Sequence, residues 1–174
     1  AKYHLEHCGE PLKALDIFER CADLIAEANR NAGHWASLES ELSVLEGIAR
    51  CQQELEQFEV ATVTVKKCVA MAGKVRGPFH ISVALHLTSL GSLLLHLERS
   101  NEALGPLEKA RSVVSFQRGP DDPLNLPVLA ALARCLSSVS RLNEARELLE
   151  IQRSIVMSHD SFHENADVDS DETH

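Results

Sequence analysis

The sequence predicts an all-α fold, an α-solenoid of antiparallel helix pairs, on three observations. The first is a module that returns at fixed spacing. Leu87-x-x-Leu90-Gly91-x-x-Leu94 followed by Ala103-x-x-x-Leu107-x-x-Ala110 recurs 42 residues later as Leu129-x-x-Leu132-Ala133-x-x-Leu136 and Ala145-x-x-x-Leu149-x-x-Gln152. It also stands 42 residues earlier as Leu45-x-x-Ile48-Ala49-x-x-Gln52 and Ala61-x-x-x-Val65-x-x-Cys68. A partial copy lies a further 47 residues upstream, with Leu5 and then Ala14-x-x-x-Phe18-x-x-Cys21. The second observation is that apolar residues within each copy stand three and four apart, the helical period. The third is that each copy holds two such stretches parted by a short polar turn, so that neighbouring helices run antiparallel.

The elements follow in order. A stub of helix covers the first residues. The turn Cys8-Gly9-Glu10-Pro11 opens a helix over 10–30, with Pro11 suited to its first turn. Helices over 34–54 and 57–73 carry the next copy, and Gly73-Lys74-Val75-Arg76-Gly77 reads as a helix-ending turn without the spacing of a phosphate loop. Gly77-Pro78-Phe79-His80 separates copies, with His80 helping to start a helix over 80–97. The turn Glu98-Arg99-Ser100-Asn101 leads to a helix over 101–117, capped by Ser100 or Asn101. Gly119-Pro120-Asp121-Asp122-Pro123 is the second boundary, where Asp121 or Asp122 starts a helix over 125–139. Ser140-Arg141-Leu142-Asn143 then leads to the last helix, over 142–158. The expected organisation is a repeat domain over 1–158, with a partial repeat at 1–30 and repeats near 34–73, 80–117 and 125–158. An acidic, disordered tail is expected at 159–174.

Gly91, Ala49 and Ala133 are small where a first helix must approach its partner closely, and Ala103, Ala61, Ala145 and Ala14 are small on the second helix. The Leu and Val positions between them are expected to fill the interior.

Composition narrows the function classes. Hydrophobic residues make up 44% and charged residues 25%, ordinary for a globular domain, and aromatics only 4%, so the core is aliphatic. No apolar run approaches a membrane span. The net charge of -9 argues against a general nucleic-acid binder. Six of the 26 acids lie in residues 158–174, which contain no Lys or Arg, so the body is nearly neutral. The five cysteines form no C-x-x-C pair, and four of them, Cys21 with Cys68 and Cys51 with Cys135, fall at equivalent apolar repeat positions, which fits a reducing, cytoplasmic or other intracellular compartment.

The repeat resembles the tetratricopeptide repeat (TPR). Leu87, Leu90, Gly91, Leu94, Ala103, Leu107 and Ala110 match its signature, with leucines in place of the usual aromatics. The 42-residue period and the boundaries Gly77-Pro78-Phe79-His80-Ile81-Ser82-Val83-Ala84 and Gly119-Pro120-Asp121-Asp122-Pro123 look like the longer repeats of kinesin light chains. The resemblance spans about residues 3–157. It implies a TPR-like right-handed superhelix whose first helices line a concave groove. The Asn-rich first helices of kinesin light chains and the Lys/Asn carboxylate clamp of chaperone-binding repeats are missing, so neither specificity carries over. Only Lys2, Tyr3 and Leu5 remain of the first copy's first helix, which suggests that a larger protein or a complex covers that end.

Carried over residue by residue, the groove is lined by Ser43, Glu46, Arg50 and Gln53, then Leu85, Thr88, Ser89, Ser92 and His96, then Ala130, Arg134, Ser137 and Ser138. Arg50 and Arg134 are equivalent, two repeats apart, with Ser92 between them. Two guanidinium groups above a floor of hydroxyls suit an extended acidic or polar segment; the alternative is that both pair with neighbouring glutamates. The reading is a non-enzymatic protein-binding scaffold, with a structural subunit of a large assembly as the alternative, and without cofactor, nucleic acid or membrane insertion. A third possibility is that the acidic tail folds back onto the arginines. The histidine pairs His159/His163 and His4/His7 have metal-like spacing but read as incidental surface residues.

Overall fold

The computed structural model describes residues 10–32 and 38–168, with side chains described for 10–30 and 38–158. Among these residues seven helices form and no strand: α1 Pro11–Ala32, α2 Leu38–Glu54, α3 Phe58–Arg76, α4 Ile81–His96, α5 Ser100–Arg118, α6 Asn125–Ser138 and α7 Leu142–Val168. Each packs on its neighbours in chain order, and the result is the all-α helical repeat solenoid. The helices that run furthest past expectation are α3 and α7. α3 runs on to Arg76, taking Gly73 into the helix. α7 runs on to Val168, past the expected end near 158. The acidic side chains beyond 158, the histidine pairs and the stub at Lys2, Tyr3 and Leu5 lie outside the described side chains.

The turn inside each pair is set by one backbone device. Glu56, Glu98 and Ser140, spaced 42 residues apart, hold left-handed φ values of 56°, 58° and 63°. On either side of Glu98 the amide of Arg99 bonds the carbonyl of Leu94, and that of Glu98 bonds Leu95. The same two bonds recur at Gln57 to Gln52 and Arg141 to Leu136, and at Glu56 to Gln53 and Ser140 to Ser137. This is a Schellman ending, which glycine usually occupies; a side chain there costs about 1 kcal/mol. At the boundaries between pairs the backbone does use glycine, with Gly77 at φ 95° and Gly119 at φ 102°.

The helix starts divide between expected and unexpected caps. His80 is the N-cap of α4, its Nδ1 accepting from the Ser82 amide at 3.2 Å. Asp122, rather than Asp121, opens the approach to α6, accepting from the Leu124 amide at 2.9 Å. Buried Asn125 donates to the carbonyls of Gly119 and Pro120 and pins that loop. Neither Ser100 nor Asn101 caps α5: the N-cap is Arg99, whose guanidinium instead grips Glu102 one turn on.

The main core runs from α2 to α7 and is aliphatic and alanine, with Ala61, Ala103, Leu107 and Cys135 wholly inaccessible. Each fully buried Leu or Val is worth roughly 1.5–3 kcal/mol. A Cβ on Gly91 would stand 2.4 Å from Leu107 Cδ2, so the hydrogen is what lets α4 lie on α5. Gly47, which the repeat pattern did not single out, plays the same part toward the ring of Phe18, at 2.3 Å. Phe18 belongs to a smaller cluster with Ala14, Ile48 and Cys51 that joins α1 to α2. One expected interior position fails: Leu149 is 51% exposed, because no described helix lies beyond it, and Leu148 and Ile155 are buried instead.

Gln52 is, with Asn125, one of two buried amides whose side-chain oxygen stays unpaired among the described residues. It is 5% exposed, and its Oε1 accepts no hydrogen bond among the described residues. Its equivalents, Leu94 and Leu136, are buried leucines. Gln52→Leu should raise unfolding stability by about 1–2 kcal/mol in denaturant titrations, because an unpaired buried carbonyl is removed. Gly91→Leu should lower it by about 1–3 kcal/mol or more, since the space is already filled.

Candidate partner-binding groove

The first helices of the pairs are α2, α4 and α6; the second helices are α1, α3, α5 and α7. α4 and α6 pack directly on each other, whereas α5 and α7 do not reach such contact among the described residues. A cavity of about 450 Å³ opens between α5 and α7 instead, floored by Leu132 and Leu136 of α6. At these repeats the stack is therefore tighter on its first-helix side.

The predicted groove residues meet different fates. Gln53 Nε2 donates to Ser89 Oγ at 3.3 Å, bridging α2 and α4. Thr88 turns its hydroxyl back to the Ala84 carbonyl at 2.8 Å, and Ser138 does the same to Arg134 at 3.0 Å. Ser43 and Ser92 are half-buried; Arg50, Arg134 and Ser137 are exposed. Leu85 is 49% exposed on the same helix as Ser89 and Ser92. His96 is engaged at the end of α4, stacked on Phe58 of α3 with ring centroids 5.0 Å apart and planes 14° apart. Nothing brings Arg50 and Arg134 together; they remain two repeats apart, on α2 and α6.

The contact that the repeat alignment missed is Glu46 with His86, Oε1 to Nε2 at 3.1 Å. Its partners are 40 residues apart, so the pair crosses the seam diagonally and a comparison of equivalent positions does not reveal it. Burial pushes the His86 pKa below its usual value, the Glu46 carboxylate opposes this, and Arg76 adds to the lowering. Arg76 itself grips Glu39 through two hydrogen bonds of 3.1 and 2.7 Å, tying the end of α3 to the start of α2. Both groups are exposed, so the pair contributes little.

Three of the described thiols, Cys51, Cys68 and Cys135, are buried and held in the protonated form. Burial pushes Cys68 up to about 12 and raises Cys51 and Cys135 as well; a thiolate is the reactive form. Cys135 donates from Sγ to the Ser100 carbonyl at 3.0 Å. Among the described residues no three His, Cys, Asp or Glu side chains converge as a metal site requires. No helix there is long and apolar enough to cross a membrane.

No family model matches the chain. No curated protein matches it either. Among solved structures it is similar to a kinesin-light-chain-type protein of Podosopora anserina with nearly identical TPR-like repeats, at 18% identity and a TM-score of 0.47 over 91% of this chain and 92% of that one. A single-substitution variant of the same protein gives 18% identity and a TM-score of 0.48 over 92% of each chain.

The His86 environment carries a pH signature. The folded state binds this proton less readily than the unfolded chain, whose His titrates near about 6.5. Stability is therefore full above about pH 6.5 and declines as pH falls from there through the lowered folded value. Replacing His86 with the valine of the equivalent position, Val128, should flatten that part of the curve in urea titrations at a series of pH values.

Proposed function

We propose that this chain is a non-enzymatic protein–protein interaction scaffold whose first-helix face holds an extended acidic or polar segment of a partner protein. The observation that carries this reading is the placement of Arg50 and Arg134, both exposed, at equivalent positions of α2 and α6, with half-buried Ser92 of α4 between them. A guanidinium presents a planar fork of donors that fits a carboxylate or a carbonyl row. The Gln53–Ser89 bridge supplies a polar floor, and exposed Leu85 supplies apolar contact. Thr88, Ser138 and His96 are already engaged and play a lesser part. The free thiols Cys51, Cys68 and Cys135 fit a reducing intracellular compartment.

A second reading, a structural subunit that contacts neighbours by its edges and ends, is favoured by one observation: the outer side of α7 leaves Leu142, Leu149, Val156 and Met157 exposed.

The test uses immobilised extended peptides, one set acidic and one basic. The acidic set should be retained, more weakly as salt rises. Arg50→Ala with Arg134→Ala should weaken retention about tenfold, which corresponds to about 1.4 kcal/mol, with helical circular dichroism unchanged. Equal retention of both sets, or no effect of the double variant, removes the reading.

A further inference from the structure

The last second helix presents a face that its counterparts keep covered. Leu142, Arg146, Leu149, Arg153, Val156 and Met157 fall in one sector of α7, about 100° wide at the helical pitch, and all six are exposed. At the equivalent positions of α5 and of α3 every residue is buried or half-buried. Leu107 and Val114 are 0% and 1% exposed where Leu149 and Val156 are 51% and 41%.

A subtraction identifies what is missing. α5 has its own first helix, α4, against it, and α7 likewise has α6. α5 has in addition the first helix of the following pair, α6, as α3 has α4. No described helix covers α7 in this way. The face therefore continues an interface that the chain already builds twice, and it has the register of a first helix. The helices that fill the earlier copies carry aliphatic residues at the spacing of Leu87, Leu90 and Leu94, and of Leu129, Leu132 and Leu136.

Charge specifies the occupant further. Where α3 has Thr62 and Val69, α7 has Arg146 and Arg153, two turns apart and neither in an ion pair among the described residues. At the register of Arg153, α5 has Arg111, which lines the cavity between α5 and α7 together with two carboxylates of the following second helix, Glu144 and Glu147. From this we infer that the exposed face of α7 docks an amphipathic helix of a partner protein, with aliphatic residues on one side and flanking carboxylates that meet Arg146 and Arg153. This site is separate from the first-helix groove and does not rest on it.

The experiment uses the whole chain and two fluorescein-labelled helical peptides. Both carry leucine at the register of Leu129, Leu132 and Leu136; one has flanking glutamates and the other has lysines in their place. Fluorescence anisotropy should show saturable binding of the glutamate peptide, at least about tenfold tighter than the lysine peptide. Leu149→Ser with Val156→Ser should abolish it, with the helical circular dichroism of the parent retained because both residues are already exposed. Arg146→Glu with Arg153→Glu should invert the preference between the peptides. Arg50→Ala with Arg134→Ala should leave both affinities unchanged, which separates this site from the groove. Absence of saturable binding, equal affinity for the two peptides, or loss of binding in the groove variant overturns the assignment. So does self-association of the chain in sedimentation equilibrium that the Leu149/Val156 variant removes, since a second copy would then be the occupant.

Discussion

The structure depends on how closely a first helix can lie against a second. That distance is set by a few positions without bulk: Gly91 beneath Leu107, Gly47 beneath the ring of Phe18, and the wholly buried alanines Ala14, Ala61 and Ala103. Backbones that approach so closely bring the aliphatic side chains of the next layer into full contact, which is where the burial energy accrues. The turns serve the same end. Glu56, Glu98 and Ser140 accept left-handed backbone because the Schellman bonds and the helix pair behind them outweigh the local strain. The strain recurs with the repeat, so it belongs to the architecture rather than to any one site.

Much of this was legible in the residues. The order of helices, the small residues at the crossings, the boundary glycines and the capping role of His80 are local signals, each carried by a residue type with few alternatives. Helix ends were less legible. α3 passes through Gly73 to Arg76, where Arg76 reaches Glu39 of another helix, a contact that no local rule anticipates. Ser100 and Asn101 are good N-cap residues by type, yet α5 begins at Ser100 with Arg99 at the N-cap position, where the guanidinium binds Glu102 and no side chain accepts from a backbone amide.

The candidate groove was legible only as a set of positions. The pattern indicates which residues share a face but not which of them are already occupied. Thr88 and Ser138 return their hydroxyls to their own helices, as Ser and Thr do when a carbonyl one turn back is within reach. His96 stacks because Phe58 replaces the Ser100 and Leu142 of the equivalent turns. Glu46 and His86 meet on a diagonal, and Gly47 answers a phenylalanine that occurs in only one copy. These are departures from the repeat, and a periodic reading averages them away.

The small cluster of Ala14, Phe18, Ile48 and Cys51 stands apart from the main core. An array of stacked units loses order one layer at a time when one layer is joined less extensively than the others. Among the described residues α1 meets the stack mainly through α2 and that small cluster, so its amides are expected to exchange with solvent at a lower free energy than those of α4 and α5, which are packed on both sides.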